Sequence, residues 1–383
     1  MRKQQSGSPV CHGGDIYRNR VQYDFSINLN PLGMPEGVKK RLLETVEDWA
    51  CYPDPQCEAL RRALAGFHRV KMEHILCSNG AADLICQLAR MLKPKRALLF
   101  APGFAEYEQA LALCGCRTEY EPLLPEEQFL PDTDRFCARI TEETDLIFVC
   151  NPNNPTGHAV PKRELMRLAE RCQETDTWMI LDECFCDLMD EPERYSMVSE
   201  AERFSHLFIL RAFTKTYAMA GLRLGYGICS DETLMRRLTL ERQPWSISVP
   251  AQEAGCAALE ETAYLETARV LLKTERETLT AGLRRLGLTV FDSDINFILF
   301  YRKEENGCAA ETLYEACLKR GVLLRDCSNF TGLTQGYYRV CVGRPEENQA
   351  LLRILEQILA GSGSGNENQT QRDCEKDKRR RQL

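Results

Sequence analysis

The 383-residue chain carries 49 lysines and arginines against 56 aspartates and glutamates, a net charge of −7, with 44% hydrophobic and 27% charged residues. This is the composition of a globular protein with room for two domains of roughly 100–200 residues each, and its acidic balance argues against nucleic acid as the main partner. No apolar run approaches the roughly 18–20 residues that span a bilayer, and the opening MRKQQSGSPVCHGGD has no apolar segment after its basic residues, so neither a membrane partner nor a secretory signal is expected.

Nineteen cysteines, an odd number in a chain with no export signal, point to free thiols in a reducing, cytoplasmic setting. The CxC pairs Cys114/Cys116 and Cys184/Cys186 would alternate faces on a strand, no CxxC has a matching second half, and His74, His158 and His206 are isolated. No metal site is expected.

From about residue 74, short apolar runs alternate with helix-length periodic segments, the pattern of a parallel sheet with helical crossovers. The spacing predicts helices over 81–92, 107–115 and 162–174, and strands over 96–101, 145–150, 178–183, 207–210 and 224–229. Together these read as one large α/β domain over 46–245. QPWSISVP (243–250) breaks the pattern, and a long charged helix from about residue 251 leads into a smaller α+β domain over 246–360, which residues 1–45 also help to build as an N-terminal arm. Residues 361–383 join a Gly/Ser linker to a polar end with a KDKRRR run, and disorder is expected there.

The distinctive turns fall at strand ends, where open α/β sheets place their ligand crevice. SNGAAD (78–83) opens a helix with small residues, and backbone N–H groups of Gly80, Ala81 and Ala82 would suit a phosphate there, although a plain strand-to-helix turn reads the same. NPNNPTG (151–157) has two prolines and a glycine that make a rigid loop holding Asn154 at the crevice. LDECF (181–185) puts Asp182 at the end of a buried strand, where an unpaired carboxylate is costly and needs a cation or donors. A protonated ring nitrogen at about 4 Å, at an effective dielectric of about 20, would contribute about 4 kcal/mol; an Asp capping the next helix is the plainer reading. In FTKTYAMAGLRLGYG (213–227), Lys215 follows Thr214 near the end of an apolar run and stands eight positions before Arg223. Burial can lower a lysine pKa by roughly 3–5 units, leaving an amine able to attack a carbonyl carbon; taken alone, the segment could also be read as a solvated turn.

In this order and spacing the motifs resemble fold-type I pyridoxal-phosphate enzymes of the aminotransferase superfamily, over essentially residues 10 to 360. The resemblance implies an α/β fold with a mainly parallel central sheet in the large domain and pyridoxal 5'-phosphate as cofactor. It implies Lys215 as the Schiff-base lysine, Asp182 on the pyridine nitrogen, Asn154 on the ring hydroxyl and Phe104 of PGFAEY against the ring face. Gly80, Ala81, Ala82, Thr214 and Arg223 would surround the cofactor phosphate. Tyr52 of CYPDPQ would reach the phosphate of a neighbouring subunit, which implies a homodimer with shared active sites.

Within the superfamily the chain looks most like the branch that holds histidinol-phosphate aminotransferases and L-threonine-O-3-phosphate decarboxylases. HGGDIY (12–17), Phe185 in place of a common tyrosine, and the pair Arg325 and Arg339 favour the decarboxylase side. Two arginines with backbone N–H groups at His12 and Gly13, and a polar contact from Asn30, suit a small substrate carrying both phosphate and carboxylate, because a guanidinium fork binds either. The implied reaction is loss of carbon dioxide from L-threonine O-3-phosphate, giving 1-amino-2-propanol phosphate for cobalamin synthesis. The alternatives are an aminotransferase using 2-oxoglutarate, a serine-phosphate decarboxylase, and a cofactor-binding protein without catalysis, which would have no need of Lys215.

Overall fold

The computed structural model describes residues 13–303 and 311–361. A short strand β1 (Tyr23–Asp24) precedes seven strands, β2 (Ile75–Ser78), β3 (Arg96–Ala101), β4 (Arg117–Pro122), β5 (Leu146–Cys150), β6 (Trp178–Asp182), β7 (Leu207–Ala212) and β8 (Gly225–Ile228), which form one sheet in the order β2-β8-β7-β6-β5-β3-β4. The strands β5 to β7 read as nearly unbroken apolar runs because helices cover both sheet faces. Alternate residues divide between two cores: Ile147, Val149, Met179, Leu181 and Ile209 join one cluster, and Leu146, Phe148, Ile180, Phe208 and Leu210 the other. Each fully buried side chain of this kind contributes about 1.5–3 kcal/mol.

All neighbouring pairs in this sheet are parallel except those of β8, which runs antiparallel to β2 and β7. The sequence pattern had suggested a parallel strand there. Between Ala212 and Gly225 the chain has only a four-residue helix (Phe213–Thr216) and a short 3-10 turn (Ala220–Leu222), too little for a crossover, so it turns back on itself. Gly225 permits that return: a Cβ there would lie 2.5 Å from the Ala81 nitrogen. Strands β2 and β4 lack a long apolar run and were not anticipated. In β4, Glu119 and Glu121 are matched by Arg96 and Arg139 at 3.0 Å each, so its charges are satisfied at the sheet edge.

The second lobe carries β9 (Thr289–Val290), β10 (Phe297–Tyr301), β11 (Val322–Leu323), β12 (Arg325–Asp326) and β13 (Tyr337–Cys341). Four of these form an antiparallel sheet in the order β12-β13-β10-β9, and β11 pairs in parallel with β1, tying the N-terminal segment to this lobe. The long helix expected from residue 251 is two helices, Val249–Glu260 and Thr262–Arg285, interrupted at Glu261 (φ −82°, ψ 60°). Glu261 accepts the Gly37 N–H at 2.9 Å, and the first helix packs through Ala251, Ala254 and Ala258 in the large lobe's core. Side chains of the second helix join the small lobe's cluster from Ala268 onward. Among the described residues no helix is long and apolar enough to cross a membrane. The tail expected beyond residue 361 lies outside the described residues.

Candidate active site

A cavity of about 480 Å³ opens at the carboxyl ends of the parallel strands and is closed from the other side by β12 and β13. Asp182 is the last residue of β6, opposite Cys150 and Leu210 in register, and is only 6% exposed. Its Oδ1 accepts the Cys184 N–H at 2.9 Å and its Oδ2 accepts the Tyr107 hydroxyl at 2.6 Å. A buried carboxylate with one fixed donor on each oxygen still has acceptor capacity for a further cationic N–H. Glu183 turns away from the cavity, pairs with the buried Arg211 at 2.6 Å and accepts Ser196 Oγ at 2.8 Å. Arg211 also grips Asp187, so Cys184 and Phe185 are held at the cavity wall from behind.

Lys215 leaves the end of β7 on the short helix Phe213–Thr216. The Asn30 N–H donates to the Lys215 carbonyl at 3.1 Å, and Asn30 Nδ2 donates to the Thr216 carbonyl at 3.0 Å, which pins this turn. The Lys215 ammonium stands 5.7 Å from the centre of the Phe185 ring. Burial, and then the positive charges of Arg339 and Arg223, draw the amine down to about 8. Competitive labelling of the cofactor-free protein with a small acylating reagent should therefore show Lys215 reactivity rising with a midpoint near pH 8, below the surface lysines. A midpoint shared with exposed lysines would show that the cavity does not discharge it.

The NPNNPTG turn is fastened by its other asparagines. Asn151 exchanges two hydrogen bonds with the Val160 backbone, at 2.7 and 3.0 Å, and Asn153 donates to the Pro102 carbonyl at 3.1 Å. Asn154 is left to face the cavity, where it accepts a hydrogen bond from Arg339. Gly157 has φ +85°, and a Cβ there would come 2.2 Å from Ser293 Oγ, so only glycine lets the small lobe press on the turn.

Arg325 and Arg339 are direct cross-strand partners in the β12–β13 ladder, so their side chains leave the same face of the sheet. They are 7% and 6% exposed, and among the described residues neither pairs with a carboxylate. Arg325 donates to the Asp326 carbonyl and to Asn329 Oδ1, with its guanidinium 5.0 Å from the Phe330 ring centre. Arg339 donates to Asn154 and to the Ser26 carbonyl at 3.0 Å, while its buried Nε has no acceptor among the described residues. Burial and the neighbouring Arg325 draw the Arg339 guanidinium down to about 10. With Lys215 and Arg223, four cationic side chains line a cavity whose one acidic lining residue among the described residues is Asp182.

Of the residues singled out from the sequence, Gly13, Ala81, Ala82, Phe104, Asn154, Asp182, Thr214, Lys215, Arg223, Arg325 and Arg339 line this cavity together. Gly80 does not: its N–H is spent on the Ser78 carbonyl at 2.8 Å, and its φ of +87° sets the turn beside the Arg223 guanidinium. Asn30 is buried with both ends of its side chain in use, so it holds the Lys215 turn rather than offering a contact in the cavity. Tyr52 is 80% exposed, with its ring 4.8 Å from that of Trp245 at a tilt of 34°, and outside this cavity. His12 lies outside the described residues.

Tyr107, Ser26, Asn28 and Phe330 line the cavity without having been anticipated. Only Tyr107 had a usable signal, its place one helical turn after Phe104. The cysteines of the described residues are free thiols. Cys150, in the cavity wall, is pushed up to about 12 by burial and by Asp182, and Cys184 is raised well above the ordinary range for the same reasons, so neither is a ready nucleophile. No cluster of metal-binding side chains occurs among the described residues.

The family described as aminotransferase class I and II matches residues 20–355. A threonine-phosphate decarboxylase of Salmonella typhimurium is 36% identical over 361 residues, covering 92% of this chain and 97% of that protein. Among solved structures, the histidinol-phosphate aminotransferase of Clostridium acetobutylicum matches with a TM-score of 0.82 and 29% identity, over 88% of this chain and 99% of that one. The L-threonine-O-3-phosphate decarboxylase of Porphyromonas gingivalis matches with a TM-score of 0.77 and 27% identity, over 88% and 99%.

Proposed function

We propose, from the premise that the chain belongs to the aminotransferase class I and II family, that it removes carbon dioxide from L-threonine O-3-phosphate to give 1-amino-2-propanol phosphate. The observation that carries this reading is the buried pair Arg325 and Arg339, which meet no carboxylate among the described residues and line the cavity with Lys215. A substrate must bring the anions that these guanidinium groups lack, and a small amino acid with a phosphate ester brings two.

The family's cofactor is pyridoxal 5'-phosphate, and the donor set fits it. Ala81 and Ala82 open the helix Ala81–Leu92, where first-turn N–H groups have no intrahelical acceptor, and Thr214 and Arg223 reach the same end of the cavity, as a phosphate requires. Asp182 would take the ring nitrogen, Asn154 the ring hydroxyl, Phe104 one ring face, and Lys215 the aldehyde carbon. Bound there, the cofactor supplies an electron sink for the charge left when a bond at the substrate's α carbon breaks.

The chain's own residues decide which bond that is. Arg325 and Arg339 hold the two anions, so the α carbon can present its carboxylate group in one orientation. Asp182, buried at the end of its strand, would set its carboxylate beside the ring nitrogen, where a fixed group shielded from bulk solvent acts strongly. Lys215 Nζ, with its proton loosely held near pH 8, returns a proton to the α carbon after carbon dioxide leaves. The exposed Tyr52, tilted against Trp245, supports a homodimer in which this tyrosine serves the neighbouring subunit. The division into a large lobe, a small lobe with an N-terminal arm, and a terminal tail belongs to the same reading, as does a cytoplasmic setting with cobalamin synthesis as the purpose.

A second reading is an aminotransferase acting on histidinol phosphate, favoured by the likeness to the Clostridium enzyme. Incubating the cofactor-loaded protein with L-threonine phosphate and no keto acid should yield equal amounts of carbon dioxide and a new phosphate ester by phosphorus NMR. Turnover of histidinol phosphate only when 2-oxoglutarate is present, with no carbon dioxide, would replace the decarboxylase reading with the second one. Release of carbon dioxide from serine phosphate at a higher kcat/KM would move the substrate assignment within the same reaction.

A further inference from the structure

We infer that Tyr107 is a positioning residue for Asp182: its hydroxyl holds one oxygen of that carboxylate, setting the carboxylate plane and tempering the basicity of the group that meets the cofactor's ring nitrogen. The inference rests on the assignment of Asp182 to that nitrogen.

Three observations carry it. The Tyr107 hydroxyl is 2.6 Å from Asp182 Oδ2, a short bond of the charge-assisted kind, and it joins residues 75 apart in the chain. The opposite oxygen is held by the Cys184 N–H at 2.9 Å, so the carboxylate is gripped at both ends and cannot rotate without losing a donor. The Tyr107 ring is itself immobile. It is 2% exposed, stacked 4.6 Å from Phe148 at an 8° interplanar angle, and set edge-on to Phe104 at 5.5 Å. The N-cap and the first turn of the helix Ala105–Leu113 thus supply both the residue proposed for the ring face, Phe104, and the residue that orients the carboxylate, Tyr107.

The phenol donates throughout the working pH range, because burial and the Asp182 charge both push its ionisation well up. A neutral donor removes negative charge from Oδ2 without cancelling it. On this inference Asp182 would draw on the ring proton less than a carboxylate with that oxygen bare. Without the hydroxyl, that proton moves toward the carboxylate and the ring withdraws electrons less strongly.

Tyr107→Phe keeps the ring and its stacking, so it isolates the hydroxyl. Holoenzyme loaded with pyridoxal phosphate labelled with nitrogen-15 in the ring should show the variant's resonance displaced toward unprotonated pyridine. Its kcat should fall about tenfold, the loss expected for one hydrogen bond to a charged group, with KM unchanged within about twofold. In an Asp182→Asn background, adding Tyr107→Phe should leave the resonance where it is, because the effect passes through Asp182. An unmoved resonance in Tyr107→Phe, even with lower thermal stability, would reduce Tyr107 to a packing residue, as would a shift that persists in the Asp182→Asn background. The resonance is read without substrate, so a parent enzyme inert toward threonine phosphate would overturn the substrate assignment and not this one.

Discussion

Lys215→Ala should lower kcat by about ten-thousandfold or more, since the change removes both the amine that would hold the cofactor and the group that would move the proton at the α carbon. The fold should survive it. Burial first, and then the charges of Arg339 and Arg223, push Lys215 toward the neutral form, against opposing pulls from Cys184 and Asp182. Removing Lys215 relieves the cost of burying a cation beside two others and leaves the turn in place, because the turn is held through backbone carbonyls by Asn30. Thermal unfolding of the cofactor-free variant should therefore match the parent or lie slightly above it. Borohydride treatment should attach the cofactor covalently to the parent peptide and not to the variant, read as a mass shift on the fragment that contains residue 215. Full turnover in the variant would remove Lys215 from the chemistry.

Arg339→Ala carries the second largest expected effect, a fall of about 10²–10³-fold in kcat/KM, the cost of truncating one partner of a buried charged contact. The same guanidinium reaches Asn154 and the Ser26 carbonyl while its Nε lacks an acceptor among the described residues. It thus joins the NPNNPTG turn, the N-terminal segment and the space where the substrate would lie. Arg339→Lys should recover only a small part of the loss, because a single ammonium cannot present that planar fork. The anion it serves can be read from a pair of substrates. Should Arg339 take the carboxylate, the fold-loss will be the same for threonine phosphate and for slowly reacting unphosphorylated threonine. Should it take the phosphate, the loss will vanish for threonine, and Arg325→Ala will show the converse pattern. Wild-type kcat/KM in Arg339→Ala would discard the two-anion argument altogether.

Much of the site was legible because its parts are local. NPNNPTG and FTKTYAMAGLR directly follow apolar strands and LDECF ends one, so the placement of these residues is set largely by the strand beside them. Asn154, Asp182, Thr214, Lys215 and Arg223 all meet in one cavity, as their spacing suggested. Where the reading failed, the local pattern permitted two outcomes. Asn30 has the look of a polar contact near a site, yet its side chain is consumed by the Thr216 carbonyl and the Leu32 N–H. Gly80 sits in a turn suited to phosphate, but its own N–H goes to Ser78. A strand over 224–229 was visible from composition, whereas its direction followed from the short return after Ala212.

By itself, then, the sequence determined the strand–turn units, the residue types at their ends and, through their order, the family resemblance with its cofactor, since all of these depend on spacing within short segments. Only the tertiary structure decided that Arg325 stands opposite Arg339, that Tyr107 reaches Asp182, and that the helical run after Val249 breaks at Glu261 between two lobes. Those outcomes depend on ladder register and on packing between residues far apart in the chain, which a one-residue slip would change without altering any local pattern.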